Sequence, residues 1–337
     1  MTRVCLAAIE YALPHRVVTN DELAAEFPDW PFEHLETRTG VRERHIAAPD
    51  ETALDFAYEA SDQLLANGSI AKGDIDAVIF CTETPDYQIP QNSALLHGRL
   101  GLSPRVLSFD VNLGCSGYPY GIEIARSLVV SGAATNVLFA TADTYSRLIN
   151  PGDRATRVLF GDGGAVTVLQ GTTSESGILD SELATAGAEF ERFIVRAGGA
   201  RNPRTPVTSE VRRDRSGNIR TDEDIEMDGF GVLYYFNAVV PGSVIELLNR
   251  NGFTVGDVDA FVFHQASAAA LDALQGQLNI PDEKMVRDMA DTGNLVSASI
   301  PVALKRAQIS GRIHQGDLVV LCGFGVGLSW GINLVRM

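Results

Sequence analysis

The two halves of this chain carry the same elements in the same order, and internal repetition restricts the fold more than composition does. Gly73-Asp-Ile-Asp-Ala-Val-Ile-Phe-Cys81 reads like Gly256-Asp-Val-Asp-Ala-Phe-Val-Phe-His264, at an offset of 183. Gly114-Cys115, Arg126 and Ser131-Gly132 match Gly293-Asn294, Lys305 and Ser310-Gly311 at 179. Phe160-Gly-Asp-Gly163 matches Phe324-Gly-Val-Gly327 at 164. The short apolar runs Val78–Thr82, Val137–Ala142, Phe261–His264 and Leu318–Leu321 are expected to be strands buried on both faces. Helical segments such as Leu54–Asn67 and Val239–Asn251 lie between them. This alternation predicts an α/β fold with right-handed crossovers. The duplication predicts two similar halves, 1–170 and 171–337, packed face to face with helices sandwiched between sheets.

The falling offset places extra residues at Asp143–Leu159 in the first half, and a second insertion covers roughly Gly187–Asn218. Insertions on repeated cores often carry function, so both are candidates for lining a site or a dimer contact. Arginines stand at 192, 196, 201, 204, 212, 213, 215 and 220. Against 43 acidic residues and a net charge of −16, general nucleic-acid binding is not expected. The cluster reads either as a solvated loop or as a local patch for an acidic partner. Cysteines 5, 81, 115 and 322 are widely spaced without a CxxC, which indicates neither a zinc site nor a disulfide framework. A reducing, cytoplasmic setting is expected. Met1-Thr-Arg-Val-Cys runs into Glu10 and Pro14 too soon for a signal peptide. The uncharged run Ser127–Ala142 has 16 residues, short of the roughly 20 that span a bilayer.

Cys115 follows the run Val106–Val111 and precedes a helical pattern through Ile122, Ala125, Leu128 and Val129. Gly114 and Gly117 are expected to allow a sharp strand-to-helix turn. A helix N-terminus would lower the thiol pKa and favour thiolate; a small packing cysteine is the alternative. The repeat pairs Cys115 with Asn294, and His264 ends the repeated strand whose first-half counterpart ends at Cys81. If the halves are related by a pseudo-twofold axis, these three meet at strand C-termini, where α/β sheets place their sites. A thiolate can take an acyl group from a thioester. Neutral imidazole and carboxamide groups can donate hydrogen bonds to an enolate oxygen. That set suits decarboxylative carbon–carbon condensation without a metal. Backbone N–H groups at Cys115 and in Gly323–Gly327 could form an oxyanion hole. Locally, His264 could instead be a satisfied strand-end residue and Asn294 a helix N-cap. Gly323-Phe-Gly-Val-Gly327 lacks the spacing of a dinucleotide fingerprint. Thr221–Asp228 lacks the glycine and distal Glu of a calcium loop and reads as a solvated strand edge. Ser116 has no GxSxG pattern.

Over nearly its whole length the chain resembles the β-ketoacyl-acyl carrier protein synthase III family of the thiolase superfamily. The matching pieces are Glu36-Thr-Arg-Thr-Gly-Val-Arg-Glu-Arg44, Asp110–Gly121, Leu159-Phe-Gly-Asp-Gly-Gly164, His264-Gln-Ala266, Gly293-Asn294 to Leu304, and Gly327-Leu-Ser-Trp-Gly331 to Met337. The resemblance implies a five-layered αβαβα fold, a homodimer, and a Cys115–His264–Asn294 triad. It also implies an oxyanion hole from the N–H groups of Cys115 and Val326. The reaction implied loads an acyl-coenzyme A starter on the cysteine and condenses it with a malonyl thioester. Coenzyme A enters as substrate; no further cofactor and no metal are expected.

Arg38 and Arg154 match nucleotide-binding positions. His34 stands where the family often has a tryptophan, with Trp30 nearby. The acyl pocket is expected at Phe324 and at Ile89, which aligns with an aromatic supplied by the partner subunit; the aliphatic side chain there suggests a longer or branched acyl group. Positions that are basic in family members for carrier-protein docking are here Tyr234, Ala269, Gly276 and Gln277, leaving the arginine cluster as a substitute. Alternative functions are acyl transfer to an oxygen or nitrogen nucleophile, a catalytically silent acyl-binding partner, and cysteine-dependent hydrolysis.

Overall fold

The computed structural model describes residues 3–30, 32 and 34–337; Met1 and Thr2, from which the leader reading began, lie outside them. The first sheet contains β1 (Arg3–Ala12), β2 (Ala77–Cys81), β3 (Leu107–Val111), β4 (Asn136–Asp143) and β5 (Gly163–Thr172), in the order β1-β5-β4-β2-β3. Strands β4, β2 and β3 run parallel, while β5 and β1 join antiparallel. The second sheet contains β6 (Gly177–Thr185), β7 (Ala260–Phe263), β8 (Leu318–Gly325) and β9 (Ser329–Arg336), in the order β7-β8-β9-β6. Its pairings repeat the first sheet's: β7 with β8 parallel, then β9 and β6 antiparallel. The equivalent of β3 is reduced to a single parallel bridge between Phe261 and Met285. The sheets thus span 3–172 and 177–336, and the division at 170 falls near the end of β5.

Helices complete five layers. Helices α1 (Ala53–Ala66) and α2 (Asn92–Leu100) cover the outer face of the first sheet, where Ala57, Leu64 and Leu96 pack on Val78, Phe80 and Leu138. A capping box between Thr52 and Asp55 starts α1 by satisfying N–H groups that the first turn leaves free. Helix α3 (Gly117–Val130) lies between the sheets, its Ile122, Ala125 and Val129 packed with Ile300 and Ala303 of the later helix Ser299–Ile309. Both helices touch strands of each sheet, as Phe139 and Leu321 in the same cluster show. Helices α4 (Gly229–Arg250) and α5 (Ala268–Leu278) cover the outer face of the second sheet. The Ser299–Ile309 helix is α6.

Helix α4 begins ten residues before the segment expected from periodicity at Val239. Asp228 caps it by accepting a hydrogen bond from Gly231 N–H at 2.9 Å. The Gly229-Phe-Gly231 start masks it in the sequence, because glycine is a poor helix former. By length and mean hydropathy (1.4) α4 suffices to cross a membrane. Here its Phe236, Val240, Val244 and Leu247 are buried against β8 and β9 residues such as Val320 and Leu334.

Candidate active site

Cys115 stands in the connection from β3 to α3, two residues before the helix begins. The expectation that Gly114 and Gly117 relieve a sharp turn is corrected: neither adopts the left-handed backbone. Both are needed for close approach instead. A side chain at 117 would strike Cys81 Sγ, and one at 114 would strike the Glu83 carboxylate. Cys115 is 4% exposed and lines a cavity of roughly 180 Å³ with His264, Asn294, Phe324 and Gly325. Its own N–H and that of Val326 serve the sulfur as donors. The lowered thiol pKa expected from the helix N-terminus is also corrected. Burial pushes the thiol well above its ordinary value, and the charges of Glu83 and Asp143 push the same way. The low-dielectric surroundings outweigh the N–H donors.

His264 follows β7 directly, so its backbone continues the strand, its N–H donating to Cys322 C=O at 2.7 Å. The ring is 1% exposed. Burial drives its pKa down to about 3, so the imidazole is neutral. Its Nδ1 lies 2.6 Å from Ser299 Oγ. Phe324 meets the ring edge-on at 5.7 Å between centroids, which helps exclude water.

Asn294 is tied to the Leu159–Gly163 segment by two backbone bonds: its N–H donates to Leu159 C=O at 2.9 Å and its C=O accepts from Gly161 N–H at 3.0 Å. Preceding it, Gly293 has φ +72°, and a Cβ there would stand 3.0 Å from Arg44 Cβ and from Gly161 N. The Asn294 Oδ1 accepts from Val296 N–H at 2.9 Å, while Nδ2 has only a long contact, 3.5 Å, to Ala266 C=O. The amide is therefore held by its oxygen, with its NH2 on the cavity side. The capping reading and the catalytic reading of Asn294 describe two ends of one side chain.

Three acidic or phenolic residues stand beside the nucleophile: Tyr145 and Asp143 fall in the first insertion, and Glu83 was not anticipated. Glu83 is buried, accepts a hydrogen bond from Tyr145 O–H, and is pushed up to about 8 by burial and by Asp143. Asp143 is pushed up to about 6 by burial, while Thr82 and Ser297 donate to it. The one signal for Glu83 was its place two residues after the fully buried apolar strand Ala77–Cys81.

The insertions do line the site. Phe193 and Met227 pair on adjacent short strands, Phe193–Val195 and Ile225–Met227, and both wall the cavity. The arginine cluster does not form a free basic patch. Arg192, Arg196, Arg204, Arg212 and Arg220 each pair with a carboxylate: Glu189 and Asp228, Glu226, Glu223, Asp222, and Asp153 with Asp214. Most of those acids belong to the run Thr221–Asp228. The two charged stretches largely neutralise each other, while Arg201, Arg213 and Arg215 form no ion pair among the described residues. Tyr234, Ala269, Gly276 and Gln277 are all exposed.

Among the nucleotide-binding candidates, Arg154 and Trp30 meet, the guanidinium carbon 5.4 Å from the indole centroid. Arg154 also donates to Ser216 C=O in the insertion. His34, with φ 67°, precedes the short helix Leu35–Thr39 that carries Arg38; both side chains are exposed. Ile89 is 86% exposed and does not line the cavity of its own chain. Phe324 does, beside His264.

Residues 109–187 match the family model for 3-oxoacyl-[acyl-carrier-protein] synthase III, and residues 248–337 match the model of its C-terminal part. A β-ketoacyl-[acyl-carrier-protein] synthase III of Rickettsia bellii is 37% identical over 324 residues, covering 96% of each chain. A crystal structure of a 3-oxoacyl-(acyl-carrier-protein) synthase III superposes with a TM-score of 0.97 at 42% identity, covering 99% of this chain and all of that one. The corresponding enzyme of Pseudomonas aeruginosa superposes with a TM-score of 0.85 at 34% identity, covering 99% and 98%.

Proposed function

The chain belongs to the 3-oxoacyl-[acyl-carrier-protein] synthase III family, and from that membership we propose how its own residues run the reaction. The enzyme is an acyltransferase that joins an acyl-coenzyme A starter to a malonyl thioester by decarboxylative Claisen condensation. Cys115 is the acyl carrier, and the observation that carries this assignment is its meeting with His264 and Asn294 on one cavity.

In the first half-reaction Cys115 Sγ attacks the thioester carbon, and the bond to the coenzyme A sulfur breaks. The thiol proton leaves with coenzyme A as its free thiol. The N–H groups of Cys115 and Val326 stabilise the tetrahedral oxyanion. A thiol held protonated in its resting state suits such an exchange, since no net proton is lost to water.

In the second half-reaction the malonyl C–C bond to carboxylate breaks and carbon dioxide leaves. Its electron pair forms an enolate, whose oxygen takes hydrogen bonds from His264 Nε2–H and Asn294 Nδ2–H. Ser299 donating to Nδ1 leaves Nε2 as the protonated ring nitrogen. The enolate carbon then attacks the acyl carbon, the C–S bond to Cys115 breaks, and the thiolate takes up one proton from solvent. One 3-oxoacyl thioester, one carbon dioxide and free Cys115 result.

Trp30 and Arg154, with Arg38 and His34 near them, receive the nucleotide end of coenzyme A, and Phe324 borders the acyl chain. Ile89 reaches a cavity only in a second copy, so this role rests on a homodimer. An acyl carrier protein bearing the malonyl group docks without the usual basic residues. The setting is cytoplasmic, in fatty-acid biosynthesis.

Intact-mass analysis after incubation with a panel of acyl-coenzyme A thioesters tests the reading. One acyl adduct, lost in Cys115→Ser, is expected; no adduct with any thioester overturns it. Carbon dioxide release from malonyl-acyl carrier protein, compared with malonyl-coenzyme A, identifies the extender.

A further inference from the structure

A second cavity, of roughly 280 Å³, shares Phe160 with the cavity of Cys115 but contains none of the triad. Four arginines line it: Arg16, Arg44, Arg147 and Arg157. Between them lie apolar walls, among them Leu23 and Ile149. In a chain of net charge −16, such a concentration of positive charge around one hollow is not a compositional accident.

The charges are poorly compensated. Arg157 pairs with Glu26. Among the described residues, no carboxylate forms an ion pair with Arg16, Arg44 or Arg147. Arg44 is fully buried and donates only to neutral groups: Val18 C=O at 3.0 Å, Val158 C=O at 2.8 Å and Asn20 Oδ1 at 2.6 Å. Its Nε, also buried, has no hydrogen-bond partner among the described residues. Arg147 donates to Ala48 C=O and Glu51 C=O. The buried Asp162 is taken up by Ser146 and by Ala47 N–H. Burying a guanidinium is costly: Glu43 and Glu22 favour the charge of Arg44 only from a distance, without an ion pair, and burial together with Arg157 still pulls it down to about 10. An anion seated among these groups would relieve that cost.

We infer that this cavity binds an oxyanion carried on a short apolar body, its head against Arg16, Arg44 and Arg147 and its body along Leu23 and Ile149. Guanidinium groups bind carboxylate and phosphate through charge-assisted hydrogen bonds, and the apolar walls favour an aliphatic rather than a fully hydrated ligand. The site is separate from acyl loading at Cys115, with only the Phe160 ring common to the two cavities.

Calorimetric titration of the full chain tests this, with Cys115 carbamidomethylated so that its cavity is closed to acyl chains. The probes are octanoate, octyl phosphate and octanol. Binding of either anion, with octanol about tenfold weaker or worse, supports the site. Tighter octanoate identifies a carboxylate ligand, and tighter octyl phosphate a phosphate ester. Arg16 makes no side-chain hydrogen bond among the described residues, so Arg16→Glu reverses one charge with the fold intact. It should weaken the anion by about tenfold or more, and Arg16→Gln by less. Failure of both anions to bind, equal binding of octanol, or unchanged affinity in both Arg16 variants overturns the inference.

Discussion

Ser299 Oγ lies 2.6 Å from His264 Nδ1, both residues being buried. The contact joins the start of α6 to the end of β7, so the second half of the repeat both supplies the imidazole and orients it. Ser299→Ala removes one hydrogen bond of about 1 kcal/mol. The ring then loses its fixed tautomer, and the enolate loses a dependable donor. Carbon dioxide release from the malonyl thioester should fall by about fivefold or more, while acyl loading measured by intact mass stays near wild type. Equal losses in both steps would assign Ser299 to packing.

Glu83 acts on the nucleophile through charge. Burial is the larger cause of the raised Cys115 thiol, but Glu83 is the first of the nearby charges that add to it. Glu83→Gln keeps the shape and an acceptor for Tyr145 O–H while removing that charge. The midpoint of the pH dependence of Cys115 alkylation by iodoacetamide should move down, and the rate at pH 8 should rise by roughly threefold or more. An unmoved midpoint contradicts the electrostatic role.

The same substitution reads out in stability. Glu83 rises from 4.5 to about 8, and Asp143 from 3.8 to about 6. Their folded-state values exceed the unfolded ones, so the folded chain binds more protons. This contribution is complete below about pH 4 and is lost as pH rises through 6 and then 8. His264 has the opposite sign: with its pKa taken from 6.5 to about 3, it weakens the fold as pH falls below 6.5. Melting temperatures of Glu83→Gln and wild type should therefore diverge between pH 5 and 9, the variant gaining with pH. A constant difference would show that Glu83 stays in one protonation state.

The triad was legible because it occupies equivalent points of a repeat. Cys115 and Asn294 share an offset of 179, and His264 sits at the end of a strand whose twin is β2. Glu83 was hidden by the same logic. Its counterpart at the offset of 183 is Ala266, so repetition gives no warning of a carboxylate. The direction of the thiol shift was misread because position relative to a helix can be inferred from spacing, whereas complete burial arises only when both halves close. The pairing of the arginines was illegible for a related reason: Arg196 and Glu226 are 30 residues apart, and only the pairing of two short strands brings them to 2.8 Å.

Arg154 and Trp30 offer a separable test of the nucleotide end. Their cation–π contact is worth about 0.5–1 kcal/mol at an accessible site. An adenine seated there would take comparable contacts from both. Arg154→Ala should raise KM for acyl-coenzyme A by about three- to tenfold. The same variant should leave KM for the matching acyl-pantetheine, which lacks the nucleotide, unchanged. A rise with both substrates would place the damage in the cavity walls instead.

The sharpest geometric test is at Gly325, the last residue of β8. A Cβ built there would stand 2.6 Å from Cys115 Cβ and 2.8 Å from its Sγ, closer than real Cβ contacts permit. One of the two backbones must then move, either the end of β8 or the turn before α3. Displacing β8 carries Val326 N–H away from the sulfur, while displacing the turn carries Cys115 away from His264 and Asn294. Either shift spoils a half-reaction whose donors must meet the oxyanion within a few tenths of an ångström. Gly325→Ala should slow acyl loading by about two orders of magnitude, and far-ultraviolet circular dichroism should stay native because only a side-chain methyl is added. Loading at the wild-type rate in this variant would mean that the N–H of Val326 does not serve the oxyanion.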